Sequence, residues 1–111
     1  MKQVAPDNLS EMVEAIVREV DPEEIILFGS RARGTAGVYS DFDLLIIESE
    51  DFGPGHSRWN DMAKIYDIAA RFRVPVDILL YSREEMSRWQ DTPGHIAGKA
   101  AREGSAIYER H

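Results

Sequence analysis

The sequence predicts an α/β (α+β) fold, a short mixed sheet with helices packed on it, as a single domain over residues 1–111. Three observations carry this. Short apolar runs of strand length alternate with segments whose apolar residues recur at helical spacing. The first two runs are joined by a stretch too short for a parallel crossover, so they should pair antiparallel. The second and third are separated by a full helix and can run parallel.

Taken in order, Leu9, Met12, Val13, Ile16, Val17 and Val20 mark an amphipathic helix over 8–20, with Asn8 and Glu11 as a capping-box-like start. "EIILF" (24–28) is a buried strand ended by Gly29. "SRARGTAGVYS" has no clean period and reads mainly as loop, and "DFDLLIIES" (41–49) is the second strand. Gly53-Pro54-Gly55 is turn chemistry. Trp59, Met62, Ala63, Tyr66, Ala69 and Ala70 mark a helix over about 58–72, with Trp59 and Tyr66 facing the core. "VPVDILLYS" (74–82) is the third strand, and Ser82 with Glu85 forms a capping-box pattern opening a short helix to about residue 90. Thr92-Pro93 reads as an N-cap and first helical residue, Gly104 as the stop, and "AIYE" as a small closing strand.

Composition narrows the function classes. Thirteen Lys and Arg stand against 20 acids, a formal charge of −7, with no basic run, so direct binding of long nucleic acid is not expected. A small anion such as a nucleotide stays compatible, because a metal and a few arginines can reverse the local sign. There is no cysteine, no apolar run of membrane-spanning length and no signal-peptide core at the N-terminus, so the expected location is cytoplasmic. His56, His95 and His111 show no ligand spacing and are assigned no chemistry. The acidic stretches "ESED" and "REE" read as solvated faces.

The chemistry lies in "LFGSRARGTAGVYSDFDLLI" (27–46). On a strand, residues i and i+2 share a face, so Asp41 and Asp43 project together while Phe42 turns to the opposite side. An antiparallel return brings Gly29 and Ser30 to the same sheet edge, and a parallel third strand adds Asp77. A polar strand entrance is the plainer account of either acid alone. Asp77, however, sits in the apolar "PVDILL", where an unpaired acid is costly, and three converging carboxylates repel one another. A divalent cation resolves that conflict. Oxygen-only ligands suit Mg²⁺ or Mn²⁺, and two such ions form the clamp used in nucleotidyl transfer. Gly29 lets a phosphate approach the backbone, Ser30 offers a hydroxyl and an N–H, and Arg31 and Arg33 can bind phosphate oxygens bidentately.

Gly29-Ser30, ten residues, then Asp41-Phe42-Asp43, with Asp77 on a following strand, resembles the signature of the DNA polymerase β nucleotidyltransferase superfamily. Within it, "GSRARG" and "SDFDLLI" are similar to the minimal nucleotidyltransferase (MNT) group of bacteria and archaea. The resemblance implies the polymerase β-like fold, with ATP as substrate. It implies triphosphate contacts from Gly29 and Ser30, with Arg33 and then Arg31 as further phosphate contacts. Metal ligation falls to Asp41, Asp43 and Asp77, the last also helping to activate the attacking hydroxyl. MNT proteins commonly pair with a helical HEPN protein, and in the toxin–antitoxin version the MNT member transfers AMP to a tyrosine of the HEPN ribonuclease. Larger relatives carry an additional helical domain that these 111 residues lack, so the acceptor surface is expected from another chain, in a homo- or hetero-oligomer. Two alternatives stand beside this: a catalytically idle module that neutralises its partner by contact, and nucleotidyl transfer to a small molecule.

Overall fold

The computed structural model describes residues 6–29, 41–89 and 91–110. Its elements are α1 (Pro6–Val20), β1 (Glu24–Phe28), β2 (Phe42–Glu48), α2 (Arg58–Arg71), β3 (Val76–Ser82), α3 (Arg83–Trp89), α4 (Ile96–Glu103) and β4 (Ser105–Glu109). The sheet order is β3-β2-β1-β4. β1 pairs antiparallel with β2 and β4, whereas β2 pairs parallel with β3, so the sheet is mixed as predicted.

β2 is apolar on both faces because both faces are covered. Leu44 and Ile46 join Ile25, Ile78 and Leu80 against α1 and α2, which contribute Met12, Ile16, Ile65 and Ile68. Leu45 and Ile47 pack with Ile26 against Met86 of α3 and Ala97 and Ala100 of α4. Phe42 is buried in the first cluster, on the face opposite its two acidic neighbours' expected one.

Several local expectations shift. α1 begins at Pro6, so Asn8 is no cap; its amide donates instead to the Phe72 carbonyl at 3.2 Å. The stripe of α2 that meets the core is Ile65, Ile68 and Ala69, rotated away from Trp59 and Tyr66. Trp59 is 76% exposed, and Tyr66 lies over the β3 edge, its hydroxyl accepting from the Ile78 N–H at 3.0 Å. α4 is capped by His95, whose ring accepts from the Ala97 N–H and stacks on Trp89, 4.5 Å between centroids. Thr92 instead belongs to the preceding turn, where its carbonyl accepts from the His95 N–H.

The α3 capping box forms in full. Glu85 N–H donates to Ser82 Oγ at 3.1 Å, and Ser82 N–H donates to Glu85 Oε1 at 2.9 Å. Arg58 binds the same carboxylate through two nitrogens and donates to the Leu80 carbonyl, which ties α2 to the end of β3. The Arg58 guanidinium holds Glu85 below its ordinary carboxylate range. A depressed acid stabilises the fold above its unfolded value near 4.5 and loses that contribution as pH falls through the lower folded value. Glu85→Gln is therefore expected to flatten the loss of stability below about pH 4.5, read from urea melts at stepped pH.

Gly104 closes α4 as predicted, for a different reason. Its backbone is extended (φ −90°, ψ 179°), and its N–H donates to the Ala100 carbonyl at 2.9 Å. A Cβ there would come within 2.5–2.7 Å of Ile26, the Leu27 carbonyl and the Ala100 carbonyl. Crowding, not handedness, selects glycine. Gly104→Ala should cost about 1–3 kcal/mol by overpacking, measurable as a lower urea midpoint.

Candidate active site

The sheet edge formed by the end of β1 and the starts of β2 and β3 gathers the predicted acids. Phe42 N–H donates to the Pro75 carbonyl at 2.9 Å, fixing how β2 enters beside β3. The register then sets Asp43 directly opposite Asp77, so the two side chains share a face. Strand spacing of about 4.8 Å makes them neighbours. Asp41 immediately precedes β2 and is exposed, and Asp43 is half-buried.

Across the antiparallel side, Phe28 pairs with Asp43, and Gly29 follows with φ +76°. That left-handed backbone favours glycine, and a Cβ on it would overlap the Asp43 carboxylate. Gly29 therefore makes room for the acid itself. Ser30, Arg31 and Arg33 lie outside the described residues.

One expectation is corrected. Asp77 is exposed, not enclosed by the apolar residues around it in sequence. Ile78 and Leu80 point to the opposite face, while on the Asp77 face the cover of apolar neighbours starts at Leu79. Burial thus supplies no demand for a cation; the case for one rests on convergence. Asp43 and Asp77 pair across the β2–β3 register with Asp41 two residues before Asp43, and carboxylate oxygens are the donors that Mg²⁺ or Mn²⁺ takes.

A cavity of about 170 Å³ lies beside this edge, lined by Phe28, Gly29, Ile96, Lys99, Ala100 and Glu103. It brings the Lys99 side chain to the Gly29 end. Sequence reading gave Lys99 no role, since only the packing of α4 against β1 brings it there.

A second polar group was also missed. His56 Nε2 lies 2.9 Å from Glu48 Oε1 and 3.0 Å from Asp61 Oδ2, at the far end of β2. Burial and the neighbouring Asp61 push Glu48 up to about 7. Burial pulls His56 down, but the Asp51 carbonyl and the two acids more than offset it, so its net shift is upward. Asp43 and Glu48 are five residues apart on one strand, about 17 Å, so this group is separate from the acidic edge.

Among the described residues, no helix is long and apolar enough to cross a membrane. No curated protein matches the chain. A candidate nucleotidyltransferase from Sulfolobus solfataricus superposes with a TM-score of 0.57 at 26% identity, covering 93% of this chain and 78% of that one. A toxin–antitoxin structure with AMP-PNP superposes with a TM-score of 0.56 at 18% identity, over 91% of this chain and 73% of its own, a likeness of fold. The family profile of the nucleotidyltransferase domain matches residues 9–99, from α1 into α4 and through the whole acidic edge. The chain belongs to the nucleotidyltransferase domain family.

Proposed function

We propose that the chain transfers AMP from ATP to a hydroxyl group of a protein partner, as the cytoplasmic antitoxin of a HEPN/MNT pair. The observation that carries this reading is the register pairing of Asp43 with Asp77 beside Gly29. The likeness of fold to a toxin–antitoxin protein with AMP-PNP supports the nucleotide and the pairing.

In this reading Asp41, Asp43 and Asp77 would hold Mg²⁺ or Mn²⁺, two ions when nucleotide is present. Bound there, the ions supply positive charge against the triphosphate and the departing pyrophosphate. Gly29 and Ser30 receive the phosphates, with Arg33 and Arg31 as further contacts. Asp77, at the exposed end of β3, orients the acceptor hydroxyl and takes its proton. The hydroxyl oxygen forms its bond to the α-phosphorus as the bond from that phosphorus to the bridging oxygen breaks. Pyrophosphate leaves, and AMP stays on the acceptor as a phosphodiester.

The test is α-labelled ATP with Mg²⁺, this chain and the protein encoded beside it. Label on a hydroxyl residue of the partner is expected. A stable complex that takes up no label from any of the four nucleotides, with Mg²⁺ or Mn²⁺, would show neutralisation by contact instead. Label on an added small alcohol but not on protein would move the acceptor class.

A further inference from the structure

Glu48 ends β2 and is 4% exposed, yet its Oε2 has no hydrogen-bond partner. A buried, unpaired carboxylate oxygen is costly. It belongs to a carboxylate turned toward His56, and three ligand atoms, one each from Glu48, His56 and Asp61, lie within 4.8 Å of one another.

The imidazole is held as metal-binding histidines are held. Its Nδ1 lies 3.0 Å from the Asp51 carbonyl, so Nδ1–H donates there and Nε2 is left to face the two acids. Phe52 stacks on the ring at 4.7 Å, and the turn closed by Gly53 and His56 fixes the backbone. Asp61 comes from the first turn of α2. The three groups therefore arrive from a strand, a turn and a helix, each fixed independently.

A histidinium shared between two carboxylates would satisfy Nε2, but it leaves Glu48 Oε2 unpaired. A cation in the same place would take one ligand atom from each of the three residues and balance the charge of the buried carboxylate. In a tetrahedral site with bonds of about 2.1 Å, ligand atoms stand about 3.4 Å apart. The observed 2.9 and 3.0 Å from Nε2 need only a small outward adjustment. Above the group opens a cavity of about 410 Å³, also lined by Ser49, Lys64 and Arg110, with room for water in the remaining coordination positions.

We propose that Glu48, His56 and Asp61 form a second divalent-metal site, separate from the nucleotidyl-transfer edge and suited by its mixed nitrogen and oxygen donors to Zn²⁺, Co²⁺ or Mn²⁺. It clamps the end of β2, the 53–56 turn and α2 together.

The experiment titrates Co²⁺ into the full chain carrying Asp41→Asn and Asp43→Asn, without nucleotide, and follows visible absorption. One Co²⁺ per chain, displaced by Zn²⁺, is expected. His56→Asn in that background should weaken binding at least tenfold, and so should Asp61→Asn, which spares the buried β2 position. Thermal melts of each variant confirm folding, and Zn²⁺ should raise the melting temperature most in the protein that keeps both His56 and Asp61. Absence of a Co²⁺ band in the double variant overturns the proposal. So does a band unchanged by His56→Asn and Asp61→Asn in folded protein.

Discussion

Asp43→Asn is expected to lower labelled-nucleotide transfer about 10²–10³-fold, the scale on which loss of one preorganised electrostatic group slows turnover. The substitution keeps the side chain's shape and removes its charge, and a thermal melt checks that the variant is folded. Asp43 is the acid most tightly placed: opposite Asp77 on one side, and against Gly29 on the other. Gly29→Ala attacks the same geometry from the backbone. Its φ of +76° strains any L side chain, and its Cβ would displace the Asp43 carboxylate. Transfer should fall comparably, here with about 1 kcal/mol of lost stability as well. Transfer near the wild-type rate in Asp43→Asn would remove the acid from the mechanism.

The largest effect on stability is expected at Ile46. It lies mid-β2, fully buried, in the cluster between the sheet and α1 with α2. Ile46→Ala removes three carbons from a position with helices in front and paired strands on both sides, so little can collapse into the space. A cost of about 3–5 kcal/mol follows, a large part of the roughly 5–15 kcal/mol that holds a domain together. Chemical denaturation should show a markedly lower midpoint with an unchanged slope. Trp59→Ala, on the exposed side of α2, should stay within about 0.5 kcal/mol in the same measurement.

The first three strands were legible because each is a short apolar run, and their relative directions followed from connection length, whereas the antiparallel pairing of β4 with β1 was not foreseen. The capping box at Ser82 and Glu85 was legible because both halves lie within one turn of chain. α2 was legible in extent but not in rotation. Its aromatics suggested one stripe, and the isoleucines, whose contacts depend on where α1 lies, set another. Asp77 shows the limit of reading neighbours in sequence as neighbours in space. On a strand the adjacent apolar residues lie on the other face, and cover on its own face depends on helices arriving later in the chain.

The site divides the same way. The acids and Gly29 were legible because a D-x-D and one antiparallel return suffice to bring them together. Glu48, His56 and Asp61 are spaced eight and five apart, periods of neither helix nor strand, and meet only because the 53–56 turn folds back on β2. "ESED" read as a solvated face, whereas its first residue is among the most buried charged groups described.

β2 is hydrogen-bonded along both edges and covered on both faces. Its amides should therefore exchange with deuterated solvent only when the whole domain opens. Asp43 rides on that strand, so fraying of the exposed edge strands leaves its position intact. The backbone that carries the carboxylate is as long-lived in place as the native state itself.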